Sequence, residues 1–182
     1  TILEQRFEDS KIQKEVKKET VVKEKLDTDK EIKTIIPSSI ENIEKFGELL
    51  LQNCAKRFNL VQGLMYLKDP NDGVFTFRSG YAYYSENKPI TYREGETLAG
   101  QVAKNKTVLN LSKVPENYIS VMSGLGEGSP KHLLIFPIIS PNNDTIGIVE
   151  LASFKPFNTE FEDLFAQIGK KLGEKLEQTS LT

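Results

Sequence analysis

The chain has 182 residues, of which 38% are hydrophobic and 27% charged, with 24 basic against 26 acidic side chains. That length holds one domain of ordinary size plus an extension, and a charge so close to balance lacks the basic face that broad nucleic-acid binding requires, so no nucleic-acid partner is expected. A single cysteine, Cys54, excludes an intrachain disulfide and a thiolate zinc site, while the absence of any apolar run of about 18 residues predicts a soluble, cytoplasmic chain without direct membrane insertion.

Residues 1–33 stand apart, because 18 of them are charged, nine of each sign, and none is Gly or Pro. Leu3, Phe7, Ile12, Val16, Val22 and Leu26 follow an irregular helical spacing. A heptad seam through Ile12, Val16 and Leu26 also takes in Glu19, Lys23 and Lys30. Residues 1–36 therefore read as a charged helical extension or linker, solvated or paired as a coiled coil. The β-branched run Thr20-Val21-Val22 leaves a short strand open. After Pro37, Ser38 and Glu41 have the spacing of a capping box. Ile40, Ile43, Phe46, Leu50, Cys54 and Phe58 then recur at helical steps and predict a helix over 38–58.

Strand signals follow. Gly63-Leu64-Met65-Tyr66-Leu67 runs into Asp69-Pro70-Asn71-Asp72-Gly73, a dense cluster of turn formers. Val74 to Arg78 alternates as a half-buried hairpin partner does, and Tyr81 to Tyr84 predicts a third strand. Leu98 to Lys104 suits a short helix and Thr107 to Leu111 a short strand. Residues 112–131 are rich in Gly, Ser and Pro and read as a long irregular segment, of the kind that covers a site in a compact domain. His132 to Ile139 and Thr145 to Leu151 flank Pro141-Asn142-Asn143-Asp144 as a second hairpin. A last helix over 159–178 carries Phe161, Leu164, Phe165, Ile168, Leu172 and Leu176, before a short tail at 179–182. This order predicts an α+β fold on an antiparallel sheet.

Taken in order, Phe46-Gly47-Glu48-Leu49-Leu50, Glu94 through Val102, Val114 through Ile119, Ser123 through Glu127 and Ile146 through Phe157 resemble GAF domains, in the branch found in bacterial multidomain sensors upstream of histidine kinases or related outputs. The resemblance spans residues 37–178. It implies a central antiparallel sheet of about six strands, the N- and C-terminal helices on one face, and loops and short helices over a ligand cavity on the other. It also implies a homodimer through helices 38–58 and 159–178. Leu49, Leu50 and Leu51 point in three successive directions, so one stripe can face the sheet and another a partner. A helix buried on two sides within a monomer is the competing reading.

Residue by residue, the chemistry is sparse. His132 is the sole histidine, and no nucleophile-elbow pattern accompanies it. Metal ligation would need several carboxylates near it, which spacing does not suggest. Cys54 lies on the apolar stripe of the first helix and reads as inert packing. Family members that reduce free methionine sulfoxide use several cysteines in cavity loops, and this chain lacks them. The ligand signatures of bilin-binding and cyclic-nucleotide-binding members are also missing, and haem would have His132 alone as an imidazole ligand. Gly95 and Gly100 lack the lysine spacing of a phosphate loop and read as a turn and a close helix contact. Glu150 stands in an apolar strand, in phase with Ile146 and Ile148, where a carboxylate requires a partner. Tyr118 and the turn Ser123-Gly124-Leu125-Gly126-Glu127 lie in the irregular segment, whose glycines let backbone amides face an anionic ligand.

The expectation is a non-catalytic sensory module of a larger signalling protein, with any output enzyme outside this chain and no cofactor. It binds an unidentified small molecule through Tyr118, Ser123, Gly124, Glu127, His132 and Glu150, and relays through its terminal helices. The alternative is a ligand-free dimerisation scaffold, its cavity filled by Phe and Tyr side chains.

Overall fold

The computed structural model describes residues 1–6, 8–9, 26–114, 121–123, 126–128 and 130–180. They fall into two units, Thr1–Glu31 and Ile32–Thr182. In the first, residues 2–6 and 8–9 are helical and Ile2 and Leu3 are exposed. Thr20-Val21-Val22 and the heptad positions Ile12 to Lys23 lie outside the described residues.

Helix α1 (Thr28–Ile35) is capped by Asp27, whose Oδ1 accepts from the Lys30 amide at 3.2 Å. The last residue, Ile35, is fully buried, and its carbonyl accepts from Asn53 Nδ2 at 3.0 Å. Helix α2 (Ile43–Phe58) starts four residues later than the Ser38 capping box predicts. Its N-cap is Asn42, in extended backbone, with Oδ1 accepting from the Lys45 amide at 3.0 Å. The cause is tertiary. Ile35 and Pro37 are buried and the Ser38 carbonyl accepts from Lys175 Nζ at 2.8 Å, so the chain here is tied down in a non-helical course. Asn42 is the next capping side chain available. Asn42→Ala is therefore expected to cost about 1 kcal/mol, a fall in melting temperature of about 2–4 °C, while Ser38→Ala leaves the melt unchanged. Equal losses in calorimetry would return the cap to Ser38.

Among the described residues the sheet has five antiparallel strands in the order β2-β1-β7-β6-β3, close to the six expected. They are β1 (Gln62–Lys68), β2 (Phe75–Tyr81), β3 (Leu109–Leu111), β6 (His132–Ile139) and β7 (Thr145–Ser153). The β1–β2 turn uses the residues singled out for it: Asp69 and Asp72 accept from the Asn71 and Val74 amides, and Gly73 takes a positive φ. The third strand expected at Tyr81 to Tyr84 does not form. Ala82 adopts φ 52°, which ends β2, and Tyr92 instead bridges Phe75. Within the segment read as irregular, β4 (Val121–Ser123) and β5 (Gly126–Gly128) form a separate two-stranded ribbon.

Register sorts the core into two layers. Met65, Leu134, Phe136, Val149 and Leu151 share one face with α2 and α4 (Glu160–Ser180), where Phe136 stacks on Phe165 at 5.3 Å. A bulge after Met65 leaves Arg78 as the extra residue of β2. Arg78 reaches Glu44 of α2 at 2.7 Å while Ser79 Oγ donates to the Glu44 carbonyl at 2.8 Å, which fastens the sheet edge to that helix. The other face carries Leu64, Tyr66, Leu133, Ile135 and Ile148, covered by α3 (Thr97–Asn105) through Ala99, Val102 and Ala103.

Candidate functional site

The motif that opens α3 is architecture. The Gly95 amide donates to the Gly100 carbonyl at 2.7 Å, and a Cβ on Gly100 would lie 2.4 Å from the Arg93 carbonyl oxygen. Glu96 Oε2 accepts from the Arg93 amide at 2.9 Å. Thr145 Oγ1 donates to the Ala103 carbonyl at 2.6 Å and binds the helix to β7. These contacts leave Glu94 to Ala103 as a turn and a close helix contact, as its spacing predicts.

Beneath α3 the sheet face divides into two halves of different character. Toward β2 it is filled by aromatic rings. Tyr66 lies 5.0 Å from Tyr92, Phe75 stacks on Tyr92 at 5.5 Å, and Phe77 meets Tyr83 at 5.8 Å. These rings spend their faces and edges on one another, which is how aromatic side chains fill a core. Toward β3 the face is aliphatic, with Leu64, Leu109, Leu111, Leu133, Ile135 and Ile148.

Glu150 stands in the aliphatic half. It pairs across the ladders with Leu64 on β1 and Ile135 on β6, and only 8% of it is exposed. Directly opposed side chains sit about 5 Å apart at Cβ, so Leu64 and Ile135 flank Glu150 on either side. Such a group persists only with hydrogen-bond or charge partners, because burying it alone costs several kcal/mol. Gln62 joins it. This amide pairs with Ala152, two residues along β7 from Glu150, and is itself buried. Gln62 was not among the residues singled out from sequence. Its signal was phase: it sits two before Leu64, so it shares that residue's face.

The six sequence candidates separate. His132 opens β6 in phase with Leu134 and Phe136 and opposite Ser153, on the helix-bearing face. It is half-buried there, and a ligand lying against Glu150 does not meet it. Ser123 and Glu127 belong to the β4–β5 ribbon, in register with Gly126 and Met122 respectively. Tyr118 and Gly124 lie outside the described residues. Cys54 is on α2, on the far side of the sheet, and burial pushes its thiol up to about 12, so it carries no thiolate at neutral pH. Among the described residues no group of three His, Cys, Asp or Glu side chains is placed to hold a metal ion. No helix among them is long and apolar enough to cross a membrane.

A family model described as GAF domain matches residues 41–177. Among solved structures, the chain is similar to the GAF domain of a phosphoenolpyruvate-protein phosphotransferase from Coxiella burnetii, at 18% identity over 85% of this chain and 95% of that one, with a TM-score of 0.68. A GAF domain from A. aeolicus, solved in an inactive state, shares 16% identity over 84% and 94% of the two chains at a TM-score of 0.63. Free methionine-R-sulfoxide reductase from Neisseria meningitidis, solved with its substrate, shares 13% identity over 82% and 86% at 0.63. Identities this low speak for the fold alone. Among curated proteins no sequence matches.

Proposed function

The chain belongs to the GAF domain family, and we propose from this that it is a non-catalytic sensory module of a larger bacterial signalling protein. It binds a small molecule against the aliphatic half of the sheet face under α3, and any catalytic output resides outside this chain. A cytoplasmic histidine kinase or related protein is the proposed setting. The observation that supports a ligand is Glu150, a carboxylate set with Gln62 among aliphatic side chains on the face opposite the terminal helices. Together they recognise a ligand with N–H or ammonium donors and an apolar body. Tyr118, Ser123, Gly124 and Glu127 are proposed as further contacts from the segment joining β3 to β6. His132, on the other face, is left out.

Relay is proposed to run through α2 and α4, with homodimerisation through their outer faces. A second reading, the ligand-free scaffold, has its own support in the self-packed rings of Tyr66, Phe75, Phe77, Tyr83 and Tyr92. Native mass spectrometry of the purified chain, followed by thermal-shift screening with amino acids, biogenic amines and nucleobases, separates the two. A ligand at a hundred times its Kd adds about 2.7 kcal/mol, or about 5–10 °C. The sensor reading expects such a shift in the native chain and its loss in Glu150→Gln. No retained mass and no shift across the panel leaves the scaffold.

A further inference from the structure

A concavity lies where residues 32–38 meet the last turns of α4. It measures about 440 Å³, within the range of small-molecule pockets. Ile32, Ile36 and Pro37 supply its apolar wall, and Lys33, Lys171 and Lys175 set three ammonium groups around it against the single carboxylate of Glu174. That carboxylate is shared with Lys171 at 3.6 Å. Lys175 is positioned by donating to the Ser38 carbonyl at 2.8 Å, which occupies one of its three donors and leaves two. The backbone beside the groove is held as well, through the bond from Asn53 to the Ile35 carbonyl.

We propose that this groove binds a soluble, small amphipathic anion, a carboxylate or phosphate monoester on a short apolar body. Lys33, Lys171 and Lys175 meet the anionic head, and Ile32, Ile36 and Pro37 meet the body. The local balance of three cations to one anion sets the sign of the ligand. The apolar wall sets the requirement for hydrocarbon, since an inorganic anion would leave Ile32 and Ile36 uncovered. Exposed ammonium groups act at high dielectric, so affinity is modest and falls with salt. An occupant touches both the N-terminal segment and α4, and so couples the two ends of the folded unit. The inference does not depend on the ligand proposed for the sheet face, because the two sites share no residue.

Isothermal titration of the full chain with octyl phosphate below its micelle concentration, beside 1-octanol and inorganic phosphate, tests it. Octyl phosphate is expected to bind about tenfold or more tighter than either control, which is about 1.4 kcal/mol. Its affinity is expected to fall about tenfold in Lys33→Gln/Lys171→Gln, to rise in Glu174→Gln, and to weaken as salt is raised. Amide shifts in a heteronuclear spectrum should centre on Ser38 and Glu174. All three changes lie at exposed positions, and unaltered melting curves verify that the variants fold. Absence of binding, equal binding of octanol, affinity indifferent to the lysine changes, or shifts centred on Leu133 and Ile135 would each overturn the proposal.

Discussion

Replacing Leu50 or Leu172 by lysine is expected to abolish the cooperative unfolding transition in circular dichroism, and not to split a folded dimer into folded monomers. Both lie on the helices through which the family resemblance implies a homodimer, but each is fully buried within one chain. Leu51, one position on from Leu50, is also fully buried, and its side chain lies 3.0 Å from where a Cβ on Gly63 would stand. The buried positions of α2, Phe46, Gly47, Leu50, Leu51, Cys54 and Ala55, form one broad stripe covered within a single chain. Among the described residues the buried carboxylate is Glu150, on the opposite face of the sheet, so a lysine ammonium in that layer is buried unpaired, at a cost of several kcal/mol set against a total stability of about 5–15 kcal/mol.

Leu49 behaves differently. It is 45% exposed, and it is the large exposed hydrophobic of α2. Leu49→Lys is expected to change the melt of a monomer by less than about 0.5 kcal/mol. If α2 joins two chains through its outer face, the same change releases monomers in sedimentation. A Leu50→Lys chain that keeps a native spectrum at half the mass would place Leu50 in a dimer interface. A monomer at every concentration in the unaltered chain would remove the homodimer.

Gly169→Ala and Gly173→Ala are each expected to lower stability by about 1–2 kcal/mol, a fall of about 2–8 °C in melting temperature. The sign decides between a local and a tertiary account. In an isolated helix, alanine in place of glycine stabilises by about 0.5–1 kcal/mol. Here a Cβ on Gly169 would lie 2.0 Å from the Pro137 carbonyl oxygen, and one on Gly173 would lie 1.8 Å from that of Ile139. These are backbone atoms of β6 and cannot rotate aside, so α4 would have to lift from the sheet. Lifting it opens the contact between Phe165 and Phe136. A rise in melting temperature for either variant would mean that α4 does not lie so close to β6.

The outline of the fold was legible because its signals are local. The Asp69 to Gly73 turn and the Pro141 to Asp144 turn mark two hairpins, and the helix read over 159–178 from the periodic positions Phe161 to Leu176 lies within two residues of the observed span of α4. What failed did so for tertiary reasons. The Ser38 capping box is a sound local motif overridden by the burial of Pro37 and the bond from Lys175. The strand expected at Tyr81 to Tyr84 is stopped by the left-handed backbone of Ala82.

For the candidate site the division is sharper. Glu150 could be singled out because a charge in an apolar strand must have a reason, whatever the fold. The sequence by itself determined the two hairpins, the two long helices, the family resemblance and the carboxylate of Glu150, all of which can be read along a single chain. Only the tertiary structure decided which side chains share a face. A strand alternates sides at every residue, so strand register put Gln62 on the same face as Glu150 and His132 behind the sheet. It also decided that Leu50 and Leu172 belong to the core, since which stripe of a helix is buried depends on what lies across from it.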